Sequence, residues 1–280
     1  MTSTAGSPAQ EPEAGIRLEE VGRAFGPTVA VSGVSLTLPL HGHLSIIGPS
    51  GCGKSTLLNI ISGLDDPDEG TVEVLGATTP DDRLRRCAWM PQRDLLLPWR
   101  DVLGNAALAL ENQGMRRKAA RSQVAGLVER FGLGSFERKL PHQLSGGMRQ
   151  RVAVARALAM RPKVLLMDEP FAALDVQTRA KMQGFLLDVW RESGASVIFV
   201  THHIDEAMAL ADRVVVCSAR PGQIKKIVAI DRPRPRDPFA PDSVALRRKL
   251  TELLSAEVDR AFAEQESGPA RASGQRFVVT

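Results

Sequence analysis

Residues 48–56 read GPSGCGKST, a glycine-rich stretch between the short apolar run LSII and a segment with helical spacing. This fits the pattern G-x-x-x-x-G-K-[ST], in which glycines let the backbone turn so that several N–H groups face one anion. The lysine can reach the outer phosphates of a nucleotide, and the serine can ligate Mg²⁺. We therefore predict a nucleotide phosphate site formed by Gly48, Pro49, Ser50, Gly51, Cys52, Gly53, Lys54, Ser55 and Thr56.

Two acids, Asp168 and Glu169, follow the apolar run KVLLM. Ligands of open α/β sheets bind at the carboxyl ends of the strands, which is where these acids would lie. A pair of solvated acids at a strand end is the alternative interpretation, and the phosphate loop in the same chain favours a functional one. We predict that Asp168 holds Mg²⁺, directly or through water, and that Glu169 polarises the attacking water.

A second apolar run, SVIFV, also ends in polar residues, here THH. Either His202 or His203 could contact a γ-phosphate from that position, although an isolated histidine is more often structural. The residue types by themselves therefore leave the choice between the two histidines open.

The stretch LSGGMRQRVAVARAL at residues 144–158 presents a second combination suited to binding an anion. Ser145 can cap a helix that begins near Gly146, and Gly146 and Gly147 leave room for a phosphate against the backbone. The positive end of that helix would stabilise the charge of the phosphate. The chain thus carries two phosphate-binding corners, which raises the question of why one chain needs both.

The hydrophobic pattern predicts the elements that position these residues. Residues 16–76 alternate as strands do, except for KSTLLNIISGL, whose helical spacing after the phosphate loop makes a strand–loop–helix unit. The runs KVLLM and ASVIFV are continuously apolar, which is typical of parallel strands covered on both faces. Residues 101–140 have helical spacing and predict a helical insert, and a hairpin is predicted around residues 221–222.

Beyond residue 235 the pattern predicts one more helix. Its apolar residues share one face, which favours docking on the core over lying on a membrane surface; they are Leu246, Leu250, Leu253, Leu254, Val258 and Phe262. The small and polar composition at both ends predicts disorder there. The expected division is a disordered tail at 1–15, one domain at 16–235 with its helical insert at about 93–160, a linker and helix at 236–263, and a disordered tail at 264–280.

The composition limits the classes of protein that the chain can belong to. Its 280 residues are 43% apolar and 24% charged, which suits a large globular domain with a buried core. A formal net charge of +4 gives little reason to expect a nucleic acid partner. Three widely spaced cysteines argue against a disulfide framework or a zinc site and for a reducing compartment. The first residues do not have the pattern of a signal peptide, and no apolar run approaches the roughly 20 residues that span a bilayer.

Taken together, these stretches resemble the nucleotide-binding subunit of ATP-binding cassette (ABC) transporters over residues 16–235, in the family's order. Residues 48–56 are similar to the Walker A loop, residues 144–150 to the signature motif and VLLMDEP to the Walker B motif. The remaining matches are Gln92 to the Q-loop glutamine, residues 173–175 to the D-loop, His202 to the switch histidine and Phe25 to the aromatic residue that stacks on adenine.

The resemblance implies a fold, a mechanism and an active ATPase. The fold is an α/β P-loop NTPase with a RecA-like core, an antiparallel β subdomain and an inserted α-helical signature subdomain. Cassettes of this family pack head to tail, so each ATP lies between the Walker A loop of one and the signature motif of the other. The implied cofactors are ATP and Mg²⁺. The implied site residues are Glu169, His202, Lys54 and Gln92 in catalysis, Ser55, Gln92 and Asp168 at the metal, and residues 48–56 with Phe25, Ser145, Gly146, Gly147 and Gln150 at the nucleotide.

Two further stretches resemble the nitrate, sulfonate and taurine import subgroup of the family. They are LLLPWRDVLGN, just after Gln92, and DRPRPRD at residues 231–237. The implied assembly is a homodimer of cassettes, peripheral on the cytoplasmic face of the membrane, with a two-copy permease and an extracytoplasmic solute-binding protein. The permease would dock near Gln92 and Trp99, whose ring suits an interface anchor. Packing within the insert is an equal alternative for Trp99.

Two other functional classes share some of these features. A cassette of an exporter or a lipid-trafficking system would have the same core motifs, and only the Trp99 and RPRPR regions argue against it. Soluble ABC ATPases that do not serve transport carry a long coiled coil or two cassettes in one chain, and this chain shows neither. The residues HGH at 41–43, and His203, stand where x-G-E and an aspartate are usual, without affecting a catalytic role.

Overall fold

The computed structural model of the chain describes residues 13–267, with side chains up to residue 263. The strands in this part are β1 (Ala14–Phe25), β2 (Thr28–Pro39), β3 (His43–Ile47), β4 (Glu69–Val74), β5 (Cys87–Met90), β6 (Val164–Asp168), β7 (Ser196–Val200), β8 (Arg213–Cys217) and β9 (Ile224–Ala229). The helices are α1 (Lys54–Ser62), α2 (Pro80–Arg86), α3 (Val102–Ala106), α4 (Leu108–Asn112), α5 (Arg117–Arg130), α6 (Gly146–Leu158), α7 (Val176–Ser193), α8 (Ile204–Leu210) and α9 (Pro241–Ser267).

The central sheet has the strand order β5-β6-β7-β3-β8-β9. Its strands pair in parallel except for β9, which pairs antiparallel with β8 and confirms the predicted hairpin. Alternate side chains of β6 enter two different cores, Leu165 on one face and Leu166 on the other. This confirms that the continuously apolar runs are strands covered on both faces. Because the parallel strands point one way, their carboxyl ends bring residues 48, 168 and 201 to one edge of the sheet.

A separate antiparallel sheet has the order β2-β1-β4. Its buried side chains, among them Leu18 and Val34, share a hydrophobic core with Leu58 and Ile61 of α1. Since α1 follows the phosphate loop directly, this packing places the turn between β1 and β2 beside that loop. The predicted antiparallel β subdomain is confirmed.

The helices from α3 to α6 form the predicted insert between β5 and β6. Val124 and Val128 of α5 pack into one core with Val152 of α6, and this core also receives Met90 at the end of β5. The insert is therefore fixed to the edge of the central sheet and holds the start of α6 in place. Together with the two sheets, it confirms the α/β P-loop NTPase fold.

The C-terminal helix α9 docks on the core through its first half. Leu246, Leu250 and Leu253 contact the cluster that α8 and β8 form, whereas Phe262 on the same predicted face is exposed. Two boundaries were wrong. The strand β1 begins at Ala14 because pairing with β2 extends that far, and α9 runs to Ser267. The rest of both predicted tails, residues 1–12 and 268–280, lies outside the described residues. No helix within residues 13–267 is long and apolar enough to cross a membrane.

Candidate functional site

The phosphate loop connects β3 to α1 at the carboxyl edge of the central sheet. Gly53 has φ of 96°, and a Cβ atom there would lie 2.5 Å from the carbonyl oxygen of Ala30, so only glycine fits. The Lys54 ammonium donates hydrogen bonds to the carbonyl oxygens of Gly48 at 2.9 Å and Pro49 at 2.6 Å. The loop is thus wrapped around its own lysine, with the positive end of α1 behind it.

A cleft of about 330 Å³ opens beside this loop. It is lined by Phe25, Thr28, Ala30, Ser50, Gly51, Gly53, Lys54, Ser55, Thr56, Gln92, Asp168, Glu169 and Arg220. The structure therefore brings together residues from five separate parts of the sequence, including seven of the fourteen predicted for the nucleotide. Phe25 is 48% exposed and stands at the end of β1, with the Arg23 guanidinium 5.1 Å from the centre of its ring. Its open ring face suits the stacking of a planar base.

Asp168 lies at the floor of the cleft, against the first turn of α1. The Ser55 hydroxyl donates a hydrogen bond to its Oδ2 atom at 2.6 Å. Burial raises the pKa of the Asp168 carboxyl, the Ser55 hydrogen bond opposes that rise, and the negative charge of Glu169 adds to it. A cation here would stabilise the ionised carboxylate and so counteract the rise in its pKa. A hydroxyl and a carboxylate oxygen are hard ligands of the kind that Mg²⁺ prefers, so the donor set fits this ion.

Glu169 is held in a strained backbone conformation, with φ of 48°. Its N–H donates to the Val200 carbonyl at 2.9 Å, and its own carbonyl accepts from Gln150 Nε2 at 3.0 Å. These bonds aim the side chain at the cleft, where Gln92 Nε2 donates to Oε2 at 3.2 Å and His202 Nδ1 lies 3.3 Å from Oε1. The carboxylate therefore stands between two polar groups from distant loops, in a position suited to a general base.

The two histidines that the sequence left undecided have different environments. His202 faces Glu169, whereas the ring of His203 packs against that of His202 with 4.0 Å between centroids. Burial lowers the pKa of His203, and the neighbouring His202 lowers it further. The Thr201 hydroxyl accepts the His203 N–H and donates to the buried Glu206 at 2.6 Å, which fixes this loop. Of the two histidines, His202 is therefore the one that contacts Glu169.

The capped helix start that the sequence predicts at Ser145 forms in the structure. Ser145 caps α6 by accepting the Met148 N–H at 3.2 Å, and α6 begins at Gly146. Ser145, Gly146 and Gly147 are absent from the lining of the cleft. Within one chain, the start of α6 therefore does not line the same cleft as the phosphate loop.

Two residues predicted at the nucleotide have side chains that bond within the chain. Gln150 is 6% exposed, and its amide bonds to the Glu169 carbonyl and the Ala173 N–H at 3.0 and 3.3 Å, so its side chain supports the backbone of Glu169. The Cys52 thiol is buried below the phosphate loop, 3.6 Å from the Lys54 ammonium. Only its backbone is left to face an anion.

The structure also adds three residues to the cleft that the sequence did not indicate: Thr28, Ala30 and Arg220. Thr28 and Ala30 follow Phe25 across the turn into β2, so a prediction of the adenine contact could have included them. Arg220 lies in the hairpin after β8, about 170 residues along the chain from the phosphate loop. It reaches the cleft because β8 pairs with β3, which no local pattern reveals.

Comparison with known proteins agrees with this geometry. Residues 31–172 match the family described as ABC transporter. The aliphatic sulfonates import ATP-binding protein SsuB of Bacillus licheniformis is 41% identical over 255 residues, which cover 90% of this chain and 97% of that protein. The taurine import ATP-binding protein TauB of Rhizobium johnstonii is 43% identical over 201 residues, covering 71% and 76%.

Two further similarities concern a longer protein and a solved structure. The nitrate import ATP-binding protein NrtC of Synechococcus elongatus is 41% identical over 239 residues, which cover 83% of this chain and 36% of that protein. A dimeric ATP-binding cassette in a post-hydrolysis state, bound to ADP and phosphate, has a TM-score of 0.71 and 33% identity. That similarity covers 78% of this chain and 99% of the other.

Proposed function

The chain belongs to the ABC transporter family of ATPases, and we propose that it powers the import of a small anionic or zwitterionic solute. The observation that carries the proposal is the division of the phosphate-binding groups. The cleft contains the phosphate loop, the two acids, Gln92 and Phe25, whereas the capped start of α6 lies outside it. Relatives at about 40% identity are named as ATP-binding proteins for sulfonate, taurine and nitrate import, which supports a solute of that chemistry.

Within the cleft, each side chain has a role that follows from its position. Phe25 would stack on the adenine, and Lys54 would exchange its two carbonyl partners for phosphate oxygens. Ser55 and Asp168, already joined by a hydrogen bond, would hold Mg²⁺, with Gln92 as a further oxygen ligand. The bound Mg²⁺ would supply charge neutralisation at the phosphates.

For hydrolysis, we propose that Glu169 acts as the general base. Its carboxylate would accept a proton from the attacking water, and His202, 3.3 Å from that carboxylate, would contact the γ-phosphate and orient the water. Gln92 touches the same carboxylate, so a movement of its loop would change the position of the base. Gln150, bonded to the Glu169 carbonyl, keeps the backbone of the base in place.

The division between the cleft and the start of α6 also suggests how ATP changes the assembly. In a homodimer of cassettes packed head to tail, Ser145, Gly146 and Gly147 of one chain would meet the phosphates bound by the other. The N–H groups at the start of α6 and its positive end suit that contact. ATP would then hold the two chains together until its hydrolysis releases them, which makes a two-state device able to drive a permease.

The permease partner is proposed to dock beside Gln92. Trp99 lies in the segment after it, and its side chain is 72% exposed, which is unusual for a tryptophan. An exposed ring at this place suits an interface anchor better than packing within the insert. The assembly would therefore hold two copies of this chain at the cytoplasmic face of the membrane, under a two-copy permease that receives solute from an extracytoplasmic binding protein.

Light scattering on the Glu169→Gln chain, with and without Mg-ATP, tests the proposal. The variant keeps the cleft but loses the base, so it is expected to bind ATP, hydrolyse it slowly and dimerise. Adding Ser145→Arg should prevent the dimer because the larger side chain would occupy the phosphate position. The matched control is Ser255→Arg, which introduces the same side chain on the exposed face of α9.

The outcomes separate the parts of the proposal. A chain that binds no nucleotide would refute the ATP site, and Lys54→Ala provides the reference for lost binding. A dimer that resists Ser145→Arg would refute the head-to-tail contact. The solute is tested separately by thermal shift of the cognate binding protein with taurine, alkanesulfonates and nitrate, where stabilisation by none of them would refute the proposed chemistry.

A further inference from the structure

We propose that Arg220, in the turn at residues 218–222 between β8 and β9, is a further nucleotide-binding residue that also positions the phosphate loop. The inference rests on the proposed function because it adds a group to the same site. It starts from an observation that the predicted motifs do not include: the Arg220 side chain lines the nucleotide cleft.

The first argument is a pair of hydrogen bonds to the phosphate loop. Arg220 donates from Nε and Nη2 to the carbonyl oxygen of Gly51, at 3.2 and 3.0 Å. The carbonyl and the N–H of one trans peptide unit point in opposite directions. Holding the Gly51 oxygen therefore also fixes the direction of the Cys52 N–H. Gly51 has φ of 76°, and glycine is the residue with the widest range of backbone conformations. A hydrogen bond from another segment is therefore most useful at this peptide.

The second argument is charge. A guanidinium has five N–H donors in a planar fork that matches phosphate oxygens, and the bonds to Gly51 use only part of that fork. Within the part of the chain that the structure describes, no carboxylate lies at ion-pair distance from Arg220, whereas Arg23, near the end of β1, is paired with Asp68. The arginine therefore brings a positive charge without a carboxylate counterpart to the wall of a cleft built for an anion.

The third argument is that the turn itself is held in place. The Gly222 N–H donates to the Ala30 carbonyl at 2.9 Å, and the Gly222 carbonyl accepts the Ser32 N–H at 3.1 Å. A Cβ atom at Gly222 would lie 2.0 Å from the carbonyl oxygen of Cys52, so the turn and the phosphate loop are in direct backbone contact. The turn thus joins β2 to the loop and carries Arg220 at a fixed place.

A buried carboxylate from the C-terminal helix completes this support. Glu257 of α9 is 2% exposed and accepts the Ala219 N–H at 3.1 Å. Its charge is balanced by Arg260 at 3.0 Å and Lys225 at 3.6 Å. Because Ala219 precedes Arg220, this hydrogen bond from Ala219 to Glu257 helps to fix the turn. This gives α9 a part in nucleotide binding, as a positioning element.

The test is the dissociation constant of fluorescent Mg-ATP for the full chain, measured at low and high KCl concentration. Arg220→Gln should weaken binding about tenfold, the loss expected for one charged hydrogen bond, and should reduce the salt dependence. Arg220→Lys keeps the charge without the fork, so it should restore part of the affinity and most of the salt dependence. Arg213→Gln, an exposed arginine at the other end of β8, is the matched control and should bind as the wild type does.

Three results would refute the inference. In the first, Arg220→Gln binds Mg-ATP like the wild type, while Lys54→Ala loses binding; the proposed function then stands without Arg220. In the second, Arg220→Gln and Arg220→Lys weaken binding equally, with an unchanged salt dependence and a lower melting temperature, which would indicate a structural role only. In the third, the wild type itself binds no nucleotide, and the proposed function fails together with this inference.

The contribution of Glu257 has its own measurement, a double-mutant cycle. Glu257→Gln should weaken Mg-ATP binding by about threefold when Arg220 is present and should have little further effect in the Arg220→Gln background, because both act through one turn. If the two substitutions change the dissociation constant by factors that multiply in the double variant, α9 does not act through Arg220. That result would overturn the positioning role of Glu257.

Discussion

Replacing His43 with phenylalanine tests whether burial keeps this histidine neutral in the folded chain. His43 begins β3, the strand that leads into the phosphate loop, and is fully buried. Its ring packs edge-on against Trp190 with 4.8 Å between centroids, and neither ring nitrogen has a hydrogen-bond partner among residues 13–263. Burial, together with the smaller effect of the positive charges of Arg234 and Arg236, lowers the pKa of His43 from 6.5 to about 3.

The size of the effect follows from the two pKa values. In the unfolded chain the imidazole takes up a proton near pH 6.5, whereas in the folded chain it does so only near pH 3. The free energy of unfolding is therefore unaffected by His43 above pH 6.5 and decreases as the pH falls from there toward 3. At about pH 5 this loss amounts to about 2 kcal/mol, and most of it should be absent from His43→Phe, whose ring keeps the contact with Trp190 and does not titrate.

Urea unfolding at about pH 7.5 and about pH 5 measures the difference. All other titrating groups are common to both chains, so the wild type should lose about 2 kcal/mol more than His43→Phe between the two conditions. His142→Phe, at an exposed position in the helical insert, is the control and should lose as much as the wild type. An equal loss in the wild type and His43→Phe would refute the reasoning, because it would mean that the folded state accommodates the imidazolium.

Two more predictions concern the site and its partner. Asp168→Asn should abolish Mg²⁺-dependent hydrolysis and raise the melting temperature of the ligand-free chain at neutral pH. Burial is the main cause of the raised pKa of this carboxyl, and the charge of Glu169 adds to it, so the ionised carboxylate destabilises the folded chain at neutral pH. A lower melting temperature of Asp168→Asn, measured by calorimetry, would contradict this reasoning. Trp99→Ala should leave ATP affinity unchanged and weaken copurification of the permease at least about tenfold, whereas Phe239→Ala, 83% exposed on the C-terminal linker, should not.

Much of the site could be predicted from the sequence because its central parts are local. The phosphate loop depends on glycines at fixed positions and on the helix that follows within the same nine residues, so its pattern alone reports its geometry. The cap at Ser145 is equally local and formed as predicted. The apolar runs that end in Asp168 and Thr201 identified buried parallel strands, and the ends of such strands are where ligands bind.

The tertiary structure decided what depends on contacts between distant segments. His202 and His203 are adjacent in sequence, and only the approach of β6 to β7 places one of them against Glu169. Gln150 was expected to contact the nucleotide, but the docking of α6 on the strand end turned its amide toward the Glu169 carbonyl.

Arg220 shows the same limit most clearly. Its neighbours in sequence predict a hairpin, and a hairpin has no intrinsic affinity for phosphate. It lies in the cleft because β8 pairs with β3 and because Glu257, from the far end of the chain, holds the turn in place. Sequence patterns report interactions between residues a few positions apart, whereas the pairing order of strands is set by the packing of the whole core. That is why the family of this protein could be identified from its sequence, while the complete set of residues that line its cleft could not.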